Sequence, residues 1–125
     1  RSFEATKFWG IGLNNLEKKD RLVWTTLTIS DRKEVNYPGR DDADLINVLS
    51  SIDGADIAVI FVEQPNDKVK VSWRAQPGFD VSRIAAQLGG GGHAPASGAE
   101  IYGKIDEVKG KVLQLTSDLL GFSSN

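Results

Sequence analysis

The stretch that most restricts the fold is Ile57 to Val62, an unbroken apolar run, together with the alternating segment after it. Such a run suits a strand buried on both faces. Pro65-Asn66-Asp67 then turns the chain into a segment of strict alternation, which predicts a hairpin. In that second strand Val69, Val71 and Trp73 fall on one side, and Lys68, Lys70, Ser72 and Arg74 on the other.

The remaining periodicities predict helices around this hairpin. Phe3 to Lys18 reads as a helix with Phe8, Ile11 and Leu16 among its apolar positions, although Gly10 and Gly12 each cost roughly 1 kcal/mol in a helix interior. Leu22 to Ile29 reads as a strand, and Asp31 to Arg40 as a connection broken by Pro38-Gly39. Asp41 or Asp42 suits the cap of a helix whose apolar face is Leu45, Ile46, Leu49 and Ile52, and Asp53-Gly54 stops it. Asp80 is placed to cap a helix carrying Val81, Ile84, Ala85 and Leu88. Ala99 to Tyr102 reads as a short strand. A last helix from about Lys104 to Leu120 presents Ile105, Val108, Val112, Leu115 and Leu119 on one face. Helices mixed with a hairpin predict an α/β fold with a mixed sheet and flanking helices.

Composition narrows the functional classes. The chain has 125 residues, enough for one domain, and no cysteine, which excludes disulfides and thiolate metal sites. No apolar run reaches the ~18 residues of a membrane span, so no membrane contact is expected and a cytoplasmic location is the default. The net charge of −2 is unlike that of proteins that hold long nucleic acids by electrostatics, and suits a short, locally clamped ligand. The chain starts at Arg1 without any methionine and holds one histidine. The first point leads us to expect a piece of a longer protein; the second restricts the metal or acid–base chemistry available to it alone.

Gly89-Gly90-Gly91-Gly92-His93 follows the helix that begins near Asp80. One left-handed glycine is enough to end a helix. Three more let a ligand approach bare backbone, with N–H groups turned toward an anion and His93 beside them. Arg74 ends the polar side of the hairpin, where its fork could meet a phosphate. The residues alone leave this open: a glycine run also serves as an exposed linker, and alternation alone explains Lys68, Lys70, Ser72 and Arg74 as a solvated face. Trp9, Trp24 and Trp73 read as core or interface residues before they read as platforms for bases.

Val71-Ser72-Trp73-Arg74, Asp80-Val81-Ser82-Arg83-Ile84-Ala85, Gly89-Gly90-Gly91-Gly92-His93 and Ala96-Ser97-Gly98-Ala99 together resemble the DHH-associated domain of the first type, the C-terminal lobe of DHH phosphoesterases. Trp24-Thr25-Thr26-Leu27-Thr28, Leu45 to Ile52 and Ala58-Val59-Ile60-Phe61-Val62-Glu63 extend the likeness over most of the chain, here 1–125. It is nearest to the nanoRNase/pAp phosphatase branch. The resemblance implies that Arg74, Gly89, Gly90, Gly91, Gly92 and His93 grip phosphate and nucleotide. It implies partners that are short RNA or DNA, or a nucleotide phosphate, and an N-terminal DHH catalytic domain holding manganese. This chain itself is expected to bind no cofactor or metal and to supply no catalytic residue. The cyclic-dinucleotide phosphodiesterase and single-strand exonuclease branches share the loop. A non-catalytic module like that of alanyl-tRNA synthetase is the reading from another class. Ala75 and Gln76 depart from the serine and basic residue that many relatives carry after the arginine.

Overall fold

The computed structural model describes residues 1–121 and shows an α/β fold built on a six-stranded mixed sheet. In chain order the elements are α1 (Phe3–Asn14), β1 (Glu17–Lys19), β2 (Leu22–Leu27), α2 (Ile29–Val35), α3 (Leu45–Leu49), β3 (Ile57–Gln64), β4 (Lys68–Ala75), α4 (Ser82–Gln87), β5 (Gly91–His93), β6 (Ala96–Tyr102) and α5 (Ile105–Leu119). The strands lie in the order β1-β2-β3-β4-β6-β5. β2 and β3 run parallel, and every other neighbouring pair is antiparallel.

The hairpin forms as expected. Asn66 and Asp67 both take positive φ (66° and 51°), the twist that a tight connection between β3 and β4 requires. Ile57 to Val62 are all buried, because helices lie on both faces of β3. On one face Val69, Val71 and Trp73 join Ile57, Val59 and Phe61 beneath α4 and α5. The Trp73 indole N–H donates to Thr116 Oγ1 (3.2 Å), and that hydroxyl donates to the Val112 carbonyl (2.7 Å), so the polar atoms beneath α5 are satisfied. On the other face Ala58, Ile60 and Val62 pack with Val23, Leu27, Phe8 and the buried residues of α3. Each such fully buried aliphatic or Phe side chain contributes roughly 1.5–3 kcal/mol.

Four local expectations are corrected. The first helix ends at Asn14 with Asn15 as its cap, and Glu17 and Lys18, expected to prolong it, enter the short strand β1. β2 stops at Leu27 because Thr28 becomes a cap: its hydroxyl accepts from Asp31 N–H while Asp31 accepts from Thr28 N–H, and this box opens α2 inside the expected connection. The end of the glycine run is not a free loop, since Gly91–His93 forms edge strand β5 against β6. β6 accordingly begins at Ala96 and not at Ala99.

One asymmetry of the packing positions the site. The helices of the second face cover β2 and β3 but stop short of β6 and β5. There the outward residues Gly91, His93, Glu100 and Tyr102 are exposed, with Ala96 and Gly98 partly so.

Candidate functional site

Residues directly opposite each other in antiparallel strands point to the same face, so the register places the side chains. Arg74 is opposite Ala96, and Ala96 is opposite His93. Arg74 and His93 therefore share the uncovered face, two strand spacings or ~10 Å apart. The next row is Ser72, Gly98 and Gly91, and beyond it Lys70 faces Glu100. A polar row thus borders a floor with almost no side chains.

The four glycines answer to different demands, and only Gly91 shares the uncovered face with Gly98. Gly89 has φ +86°, a left-handed position at the end of α4. A Cβ on Gly90 would lie 2.1 Å from the Gly98 carbonyl oxygen, so Gly90 is where the loop crosses closely over β6. Gly92 has φ +144° and would meet the Ala96 carbonyl at 2.6 Å. Gly91 alone of the four is neither left-handed nor crowded. The fold does not require a glycine there; a ligand seated on the backbone would.

Two hollows meet along Lys70 and Ser72. One, of about 550 Å³, is lined by those two residues, Arg74, Arg1, Tyr37 and the loop Asp41 to Asp44. The other, of about 370 Å³, is lined by Lys70, Ser72, Gly89, Gly90, Gly98 and Glu100. Arg74 and the start of the glycine loop consequently border adjoining parts of one trough. His93 and Gly91 line neither hollow; they lie one strand further out, on the edge strand β5.

Arg74 is half-buried, and its Nη1 donates to the Trp73 carbonyl at 2.9 Å. It forms no ion pair among the described residues. A guanidinium has five N–H donors, so most remain available to an anion in the trough. The position of His93 is fixed through its backbone, whose carbonyl accepts the Ser97 hydroxyl at 2.7 Å. Its side chain is exposed.

The opposite bank of the trough is acidic, with Asp41, Asp42 and Asp44, and two of these carboxylates accept hydrogen bonds from the protein. Asp41 accepts from the Tyr37 hydroxyl and from Ala43 N–H, while Asp42 accepts from the N–H groups of Asp44 and Ile46. Partial burial opposes ionisation of Asp41. The hydrogen bonds from Tyr37 and Ala43 and the attraction of Lys70 outweigh it and hold the carboxyl below its ordinary value. Tyr37, stacked on Phe8, is pushed up to about 12 by desolvation first and by Asp41 second. Sequence reasoning missed Tyr37 altogether and took Asp41 and Asp42 only as caps. It read Lys70 and Ser72 as part of a polar face; strand parity was the signal that carried them into the site. Among the described residues no three His, Cys, Asp or Glu side chains come together as a metal site, and no helix is long and apolar enough to cross a membrane.

Residues 25–120 match the DHHA1 domain. The chain belongs to this family. This DHHA1 domain is similar to the bifunctional oligoribonuclease and PAP phosphatase NrnA of Thermus thermophilus, at 35% identity over 81 residues, which is 64% of this chain and 25% of that protein. The protein of the same name from Mycoplasma genitalium is 32% identical over 103 residues, covering 82% of this chain and 32% of the relative. The chain thus spans between a quarter and a third of the length of these relatives. Among solved structures, an exopolyphosphatase-related protein from Bacteroides fragilis superposes with a TM-score of 0.84 at 26% identity, over 98% of this chain and 37% of the other.

Proposed function

We propose that this DHHA1 domain is the substrate-holding part of a phosphoesterase that acts on short oligonucleotides or nucleotide phosphates. The observation that carries the reading is the row Arg74–Ala96–His93 beside the bare Gly91–Gly98 floor, on the part of the sheet that the helices leave uncovered. A phosphate seated there would take a fork of charge-assisted hydrogen bonds from Arg74 and donors from the glycine backbone, with His93 closing the rim. NrnA relatives, named for action on oligoribonucleotides and PAP, support the substrate class. The domain's share of the reaction is orientation and positive potential, which lower a barrier by fixing the reacting bond in place.

We assign manganese to a separate N-terminal DHH lobe. Asp41 accepts from Tyr37 and a backbone N–H, Asp42 accepts from two backbone N–H groups, and no group of three His, Cys, Asp or Glu side chains comes together among the described residues. Titration of a short oligoribonucleotide or of 3′-phosphoadenosine 5′-phosphate into the chain tests the reading. Charge-assisted hydrogen bonds are each worth roughly 1.5–3 kcal/mol, so Arg74→Ala weakens binding about ten- to a hundredfold. Equal affinity for the two proteins would refute it.

A further inference from the structure

We propose that Tyr102 is a base-stacking platform at the far end of the same trough, which extends the site from one clamped nucleotide to a short single strand. The inference rests on the phosphate-holding role proposed for Arg74. Tyr102 is opposite Lys68 in the β4–β6 register and has the same parity as Ala96, Gly98 and Glu100. Its ring therefore rises from the face that bears Arg74, Ser72 and Lys70, while Ile101 turns into the core. At 81% exposure it is the most exposed large apolar side chain among the described residues. No helix covers it, and β5 pairs only with residues 96–98, so its outer side is open too.

The geometry is that of a track. Tyr102 lies six residues along the strand from Ala96, a span of ~20 Å. A single nucleotide does not bridge that distance, but an extended strand of a few does. Between the two ends lie Gly98 and Gly91, which give the strand a floor without side chains, and Lys70, which forms no ion pair among the described residues. Glu100, which lines the same hollow, is paired with Lys68 at 3.2 Å, so Lys70 carries the positive charge of this stretch. The platform is also held still: Gly103, at φ +142°, donates its N–H to the Asp67 carbonyl at 2.7 Å and pins the end of β6 to the β3–β4 turn. An exposed aromatic on a fixed strand, reached along a lysine-flanked groove, recognises a base by its face and accepts any sequence. An extended single strand is the occupant we assign, because Arg74 and Lys70 lie on the face from which the ring rises.

The experiment compares binding of two-, four- and six-nucleotide oligoribonucleotides to the chain, followed by NMR shifts, for the native sequence, Tyr102→Ala, Tyr102→Phe and Arg74→Ala. Native affinity rises with length. In Tyr102→Ala the gain of the longest over the shortest strand collapses by about five- to a hundredfold, the range that loss of one base stack gives. Tyr102→Phe retains the gain, because the ring and not the hydroxyl carries it. Arg74→Ala weakens all lengths alike. An undiminished length gain in Tyr102→Ala, with Arg74→Ala still weak, overturns the platform and leaves the phosphate site standing. A Tyr102→Ala effect on self-association with no effect on binding likewise overturns it and makes the ring a protein contact. Absence of binding at every length removes the phosphate site and the platform together.

Discussion

A Cβ at Gly90 meets the Gly98 carbonyl, one at Gly92 meets the Ala96 carbonyl, and one at Gly91 meets nothing within 4 Å, so three adjacent glycines answer to different constraints. The sequence shows the run and its histidine but not this division, which depends on how the loop lies over β6. Gly90→Ala forces backbone apart and costs roughly 1–3 kcal/mol, as overpacking does; the thermal midpoint falls. Gly91→Val leaves the midpoint near that of the native chain, since an edge strand tolerates a β-branched residue, yet it covers the floor and abolishes ligand binding. A Gly91→Val protein that binds normally would mean that the backbone there is not approached. Tyr37 and Asp41 give a pH prediction. Tyr37 is raised from 10.0 to about 12, so its contribution to stability is complete below pH 10 and is lost as pH rises from 10 to 12. Asp41 is lowered from 3.8, so its contribution is present above that value and is lost as the pH falls below it. Tyr37→Phe removes the phenol and its hydrogen bond to Asp41. Urea unfolding midpoints followed from pH 3 to 12 then decline less steeply at both ends than those of the native chain.

The elements carried by strong periodicity were legible in the sequence: the β3–β4 hairpin, α3, α4 and α5 fall where the apolar spacing puts them, within a few residues. Those held by a single local interaction were not. Thr28 and Asp31 have capping-box spacing, but Asp in place of the usual Glu or Gln obscured it, and α2 has no buried residue to signal a face. β1 is three exposed residues and β5 is Gly-Gly-His, so neither has a pattern of its own; both exist because a neighbouring strand offers an edge. In α1 the two glycines looked equally unfavourable, and the fold separates them. A methyl on Gly10 would have nothing within 4 Å, whereas one on Gly12 would strike Leu45 Cδ2 at 2.4 Å and Leu27 Cδ2 at 3.3 Å, both wholly buried. The Gly12 carbonyl also accepts the buried Thr25 hydroxyl at 2.6 Å, which fixes the approach of helix to strand. Opposite signs follow. Gly10→Ala stabilises by roughly 0.5–1 kcal/mol through helix propensity, and Gly12→Ala destabilises by about 1–3 kcal/mol through overpacking. Chemical denaturation of the two variants measures both, and a shift of the same sign would show that α1 does not sit against β2 as described.

At the scale of the whole molecule, the proposed division of labour rests on where the polar groups are. Phosphodiester hydrolysis assisted by two metal ions needs clustered carboxylates and imidazoles to hold the ions and lower the pKa of a water. In this chain the trough has cations and bare backbone on one bank, and on the other Asp41, Asp42 and Asp44, of which Asp41 accepts from Tyr37 and Ala43 and Asp42 from two main-chain N–H groups. Its one histidine stands exposed on the edge strand β5. On the proposed reading this arrangement seats an anion, and the nucleophile comes from the separate lobe. Incubation of the purified chain with manganese and either a dinucleotide or 3′-phosphoadenosine 5′-phosphate therefore gives binding without turnover, with product formation followed by chromatography. Contamination and intrinsic activity are separable, because a contaminating nuclease ignores the sequence of the chain. Manganese-dependent product formation that co-purifies with the chain and disappears in Arg74→Ala would place the metal site within these residues and overturn the division between a holding domain and a separate catalytic lobe.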